Sequence, residues 1–285
     1  MFRPPDHNTR LIARAAPGNW AAALGDLHNP QCLKDHPKGT VYRATLLGRD
    51  CIIKCSPIAS PKRRLQTLLR QTPAQKHWKN ALWLRAHNIP TAPPLAILRG
   101  THDTTPVECL VLAFLPGSTV LDHLAADDLS TAEQHRVAET LATIACRLAT
   151  LGVRNRDPKP SNLIVTNVTP ERAELAVIDC ADLRHTRKTI EHAVARMLAA
   201  AYIEPLGCGI PPRRALCARA IRTAAAALHP HHPHHPHHPD HPDHPHHPTA
   251  AAQQLWKHTA AIVSTHRNPT PAHNPLTPAS PTRSS

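Results

Sequence analysis

Asp157, Lys159 and Asn162 lie together in the run Asn155-Arg156-Asp157-Pro158-Lys159-Pro160-Ser161-Asn162, and Asp179 closes a later apolar stretch, Leu175-Ala176-Val177-Ile178. Phosphoryl transfer to a hydroxyl requires a base for the attacking oxygen and two side-chain oxygens for a divalent metal. Asp157, Asn162 and Asp179 supply those groups in that order. The apolar run Leu163-Ile164-Val165 follows the first segment directly, so the polar residues fall in a loop that opens onto a strand.

Elements of the expected kinds surround this loop. Thr40 to Leu46 alternates and is β-branched, and Cys51 to Cys55 forms a second strand after a turn at Gly48-Arg49-Asp50, with Lys54 as its one lysine. Upstream stand Gly39, the only glycine where a phosphate-covering loop would carry several, and Val41; both are candidate nucleotide-binding positions. The run Lys62-Arg63-Arg64 with Arg70 reads as a basic connector. Thr72-Pro73 reads as the N-cap and first position of a helix whose apolar face carries Ala74, Trp78, Ala81 and Leu82. Strands follow at Leu95 to Leu98 and Val107 to Phe114. Ser130-Thr131-Ala132-Glu133 is a capping box opening a long helix through Val137, Leu141, Ile144 and Leu148, with Gly152 as its stop. Helices are also expected over Thr189 to Ala201, Arg213 to Leu228 and Ala250 to Ser264.

A strand lysine, a helix, a long capped helix, an R-D-x-K-x-x-N loop, two short strands and an Asp match the order of parts in protein kinases. Within that superfamily, Gly39 to Arg187 resembles the bacterial lipopolysaccharide kinase (Kdo/WaaP) family. The likeness rests on Trp78-Lys79-Asn80 with Leu84 and Ile89-Pro90-Thr91-Ala92-Pro93, on Gly152 to Asn162, and on Val177-Ile178-Asp179-Cys180-Ala181-Asp182-Leu183-Arg184. The resemblance implies an α+β, protein-kinase-like two-lobed fold: a small antiparallel-sheet lobe with one helix, then a mainly helical lobe. It implies an alcohol-group phosphotransferase that uses ATP and Mg²⁺ on a sugar or glycolipid acceptor, in the cytoplasm or peripherally at the anionic inner face of the membrane. It further implies Asp157 as the base, Lys159 against the transferred phosphate, Asn162 and Asp179 on Mg²⁺, and Lys54 on the ATP phosphates. The chain departs from the pattern at Asn155, where the loop has His, and at Pro158, where it has Leu. No Glu lies between Lys54 and Glu108 to pair with the lysine; His77 occupies that region. Those departures keep a second reading open, a binding module with the same fold and no turnover. R-D-x-K-P-x-N is equally a Ser/Thr protein-kinase pattern. Aminoglycoside and choline phosphotransferases carry His where this chain has Lys159.

The whole chain sets bounds on these readings. A formal net charge of +13 suits anionic partners, while 3% aromatic residues argue against a stacking platform for nucleic acid. None of the eight cysteines forms a C-x-x-C pair, which excludes zinc-ribbon and thioredoxin-like sites. The N-terminal residues lack the apolar core of a signal peptide, and no run approaches the roughly 20 apolar residues of a membrane span. The expected organisation is a lead-in over residues 1–37 with a short helix near Trp20 to Leu27, a sheet lobe over 38–114 and a helical lobe over 115–228. A His/Pro-rich linker over 229–248, a helix within 249–266 and a disordered tail over 267–285 complete it. The linker carries 11 of the 24 histidines, which suits loose binding of Zn²⁺, Ni²⁺ or Cu²⁺, and its recurring proline favours polyproline II over a packed core. Deleting His229 to Pro248 is therefore expected to leave the melting temperature and any turnover nearly unchanged; a collapsed melting transition would show that the repeat is part of the fold.

Overall fold

A computed structural model describes residues 10–14, 28–37, 39–102, 105–229 and 250–266. The fold is mixed α+β and divides into two compact units: Met1–Pro116 with Ala176–Asp182, and Gly117–Leu175 with Leu183–Ser285.

The first unit is built on a six-stranded antiparallel sheet. Its strands are β1 (Arg10–Arg14), β2 (His28–Lys34), β3 (Thr40–Leu46), β4 (Arg49–Pro57), β5 (Pro94–His102) and β6 (Thr105–Ala113), in the order β1-β5-β6-β4-β3-β2. The alternation read in β3 and β4 sends Cys51 and Ile53 to one face with Ala44, Leu46, Leu98 and Val111. Leu110, Leu112 and Ile97 take the opposite face with Ile52. Residues expected to be a lead-in supply β2 and β1, which form the two outer strands. The brief apolar run of β1 and the polar, Pro-containing β2 lack the alternation that marks a strand; β2 is exposed along its whole length.

Among the described residues, two helices belong to this unit. Lys62-Arg63-Arg64, expected as a connector, lies instead in helix α1 (Pro61–Leu68), because Ser60 Oγ accepts from Arg63 N at 3.2 Å and Pro61 fills the first helical position. The same chemistry opens α2 (Pro73–Ala86), where Thr72 Oγ1 accepts from Gln75 N at 3.2 Å. Ala74 and Trp78 of α2 pack on the sheet as expected, but Leu82 is 43% exposed. The buried stripe runs through His77, Ala81 and Leu84, spaced i, i+4, i+7, with Gln75 buried beside it.

Inside the sheet, Arg99 and Glu108 face each other across β5 and β6. Glu108 is 3% exposed, and Arg99 Nε donates to its Oε1 at 2.8 Å.

The second unit is mainly helical. Its helices are α3 (Val120–Ala126), α4 (Thr131–Thr150), α5 (Ile190–Gly207), α6 (Arg214–Leu228) and α7 (Ala250–Ser264). The Ser130 and Glu133 capping box forms as the sequence indicates, and α4 ends before Gly152, whose φ is 68°. Thr119 and Asp122 make a second capping box at the unforeseen α3. Helix α5 continues past the expected Ala201 and carries Pro205 in its last turns. Small sheets tie the loops down: β7 (Ser118–Thr119), β9 (Leu163–Val168) and β10 (Ala173–Val177) form one, while β8 (Val153–Asn155) pairs with β11 (Leu183–His185). The expected helix at Trp20 to Leu27, the His/Pro repeat after His229 and the tail over 267–285 lie outside the described residues. Among the described residues no helix is long and apolar enough to cross a membrane.

The Arg99–Glu108 pair gives a direct test of the sheet. Arg99→Ala strands a buried carboxylate and is expected to cost about 3–5 kcal/mol. Replacing both residues by Leu removes the charge along with its partner and should stay within about 2 kcal/mol of the parent. Urea unfolding measures both; a single variant no worse than the double would show that the carboxylate does not depend on its arginine.

Candidate functional site

The residues singled out in the sequence fall into two sets, one in each unit. In the first unit, Lys54 of β4 lies directly across from Val41 of β3. Lys54 Nζ donates to the carbonyl of Ile178 at 3.2 Å, in the irregular segment that follows β10. Gly39 has φ 151°, and a Cβ there would fall 2.5 Å from the Cys55 carbonyl oxygen. The lone glycine is thus required by its close approach to β4, one residue beyond Lys54.

Asp179 follows Ile178. Its side chain is 43% exposed, and Oδ1 accepts from Ala181 N at 3.2 Å. His77 Nδ1 of α2 lies 3.7 Å from the same oxygen, outside hydrogen-bond range, with the imidazole almost wholly buried. Burial pushes the Asp179 carboxyl upward, but the His77 imidazole, the charge of Lys54 and the Ala181 amide outweigh it and hold the group well below the usual carboxylate range. Burial, aided by the charge of Lys54, pushes the His77 pKa down against the pull of Asp179. His77 is therefore a neutral neighbour of an ionised Asp179 at pH 7. Its Nε2 is buried with no hydrogen-bond partner. His77 thus sits beside Asp179, while Lys54 takes a backbone carbonyl as its partner.

Two residues outside the candidate set fix the same segment. Asn80 Nδ2 of α2 donates to the Cys180 carbonyl at 2.6 Å, and Thr91 Oγ1 to the Val177 carbonyl at 2.5 Å.

In the second unit the loop between β8 and β9 brings Asp157, Lys159 and Asn162 together. Lys159 Nζ lies 3.0 Å from Asp157 Oδ1. Asn162 Nδ2 donates at 3.0 Å to Asp157 Oδ2 and, also at 3.0 Å, to the Asp157 carbonyl. Asn155, buried at the position where the pattern has His, accepts from Asp157 N through its Oδ1 at 3.1 Å. Glu204 of α5 clamps Ser161 with both oxygens, accepting from Oγ at 2.6 Å and from the backbone N at 2.9 Å. Sequence spacing gives no sign of this clamp, because Glu204 is 43 residues away. The buried Pro160 also borders an apolar cavity of about 570 Å³, with Leu198 and Tyr202 of α5 and Trp256 of α7 in its wall.

The donor chemistry fits a hard divalent cation at each carboxylate or amide taken singly. Asp179 is ionised, and Asn162 commits its amide nitrogen to Asp157, so its Oδ1 is the atom left for a metal. Among the described residues no three His, Cys, Asp or Glu side chains cluster. Mg²⁺ bound through phosphates needs only one or two protein ligands.

No family model matches the sequence, and no curated protein matches it either.

The buried neutral imidazole has a pH signature. Above about pH 6.5 His77 is neutral both folded and unfolded. Below that, the unfolded chain takes up the proton and the folded chain resists it, so stability falls with pH until the folded pKa is passed. His77→Gln should remove that contribution, making unfolding free energy fall less steeply than in the parent between about pH 6.5 and 5. Parallel profiles in denaturant titrations would show that His77 is not held neutral.

Proposed function

We propose that the chain is an ATP- and Mg²⁺-dependent phosphotransferase with a protein-kinase-like two-lobed fold, akin to the lipopolysaccharide kinases. It moves the γ-phosphoryl group to a sugar hydroxyl of lipopolysaccharide inner core or a related glycan. ATP as donor places the reaction in the cytoplasm. The observation that carries this reading is the Asp157 environment: one carboxylate oxygen faces Lys159, the other is held by Asn162, and the backbone is pinned by Asn155. A base held by its neighbours on a short loop is pre-oriented for a hydroxyl.

In this reading Asp157 accepts the proton of the attacking hydroxyl as that oxygen bonds to phosphorus and the bond to the ADP oxygen breaks. Lys159 offsets negative charge on the group in transfer. Lys54 binds the α- and β-phosphates, with Gly39 and Val41 beside the nucleotide. Asp179 and Asn162 are the residues that would hold Mg²⁺, which supplies neutralisation of the phosphate charge when bound. The Ser161–Glu204 clamp keeps the loop in register with α5.

A second reading, a binding module without turnover, is favoured by one feature. Lys54 Nζ lies on the Ile178 carbonyl, and α2 offers it no acid.

Mg²⁺-ATP consumption with lipid-linked sugars, small sugars and a generic protein substrate separates these possibilities. Asp157→Asn is expected to lower kcat by about 10²–10⁴-fold, with ATP affinity preserved. Unchanged turnover in that variant would overturn the assignment of the base. Absence of turnover in the parent, with ATP still bound, would support the binding module, and transfer to protein alone would make the acceptor a Ser/Thr side chain.

A further inference from the structure

Helix α1 wears its apolar side outward. An amphipathic helix on a folded domain ordinarily turns its leucines to the core. None of the residues of α1 is buried, and Leu65, Leu68 and the following Leu69 are 56%, 79% and 57% exposed. The side turned inward is polar: Arg63, Gln66 and Thr67 are the half-buried positions, and Thr67 Oγ1 donates to the Arg63 carbonyl at 2.8 Å. At 3.6 residues per turn the three leucines form one stripe, with Lys62 and Arg64 on its two edges. Arg70, exposed and with φ 52°, turns the chain just beyond it. Among the described residues no carboxylate pairs with Lys62, Arg64 or Arg70.

We propose that α1 and Leu69-Arg70 form a docking surface for an anionic lipid bilayer. The stripe seats among the upper acyl chains, and the flanking cations lie at the headgroups, where their aliphatic stems also cover apolar surface. Charge selects this occupant. From Cys51 to His102 the chain contains no Asp or Glu, so the surface around α1 is cationic throughout its own sequence neighbourhood. A second copy docked stripe to stripe would bring Lys62 and Arg64 against like charges. A bilayer rich in phosphate headgroups supplies the negative counterpart and the apolar layer together. Three leucines alone hold weakly, and the basic flank is the second signal that makes peripheral binding appreciable. This inference does not rest on the phosphotransfer reading.

The test uses the full chain in co-sedimentation with vesicles of phosphatidylglycerol and phosphatidylcholine, against phosphatidylcholine alone. Binding is expected on the anionic vesicles, weakening as salt is raised, and at least about tenfold weaker on the neutral ones. The triple change Lys62→Ala, Arg64→Ala, Arg70→Ala should weaken it by about a hundredfold. Leu65→Gln with Leu68→Gln should weaken it by about tenfold or more. These side chains are exposed, so melting temperatures should match the parent, and circular dichroism checks that the variants fold. Failure of the parent to bind anionic vesicles overturns the proposal. So does full binding by the leucine variant, which would reduce the surface to an anion-attracting patch. Self-association in sedimentation velocity that the leucine variant abolishes, without vesicle binding, would identify a second copy as the occupant.

Discussion

Thr91, Lys54 and Asn80 donate to the carbonyls of Val177, Ile178 and Cys180, three acceptors on the stretch where β10 ends and regular structure lapses. The carbonyls of Ile178 and Cys180 lie past the end of the strand, and a polar group left unmatched in a buried setting costs about 1–3 kcal/mol. The placement of Asp179 therefore depends on donors delivered by β4, by α2 and by the turn into β5. Each of these has its own local cause. Lys54 is aimed by the alternation of β4, Asn80 by its position one turn after His77, and α2 itself by the Thr72 cap and Pro73. In the first unit, one charged side chain is positioned by the backbone around it being held, rather than by direct bonds to the carboxylate alone.

What was legible in the sequence follows from how far apart the partners lie. The capping box of α4, the stop at Gly152 and the gathering of Asp157, Lys159 and Asn162 on one loop all join residues within a few positions, and residue type and spacing are enough to read them. The buried stripe of α2 was half legible. Periodicity placed Trp78 and Ala81 correctly but could not choose Leu84 over Leu82, because that choice depends on which side of the helix meets the sheet. His77 beside Asp179 and Glu204 on Ser161 were out of reach, since each joins residues far apart in sequence. The outer strands β1 and β2 are illegible for another reason: strands at a sheet margin need not alternate as central ones do. Charge dominates the basic run of α1, although Ser60-Pro61 is the same kind of helix start as Thr72-Pro73.

The residues of the Asn155 to Asn162 loop hold its shape together. The short side-chain carbonyl of Asn155 accepts from the amide of Asp157 two residues on, a local turn that this residue type favours. Pro158 and Pro160 carry no amide hydrogen, so they leave no donor to satisfy. The amides of Ser161 and Asn162 are taken by Glu204 and by the Lys159 carbonyl. Loop order here comes from the engaged amides of Asp157, Ser161 and Asn162 together with two fixed φ angles.

The absence of an acid on α2 has an electrostatic logic of the same kind. A glutamate carboxylate placed where His77 Nδ1 lies, 3.7 Å from Asp179 Oδ1, would repel it by roughly 4 kcal/mol at an effective dielectric near 20. A cation drawn between the two or a proton bound to one of them would be needed to relieve that repulsion, and Lys54 is instead committed to the Ile178 carbonyl. A neutral imidazole fills the same buried space without adding negative charge, so Asp179 remains ionised with Lys54 as the nearby cation that favours its charged form. The glutamine and histidine atoms buried without partners on α2, Gln75 Oε1 and His77 Nε2, mark where this arrangement leaves polar groups unmatched. They lie on the same helix whose Asn80 holds the backbone beside Asp179.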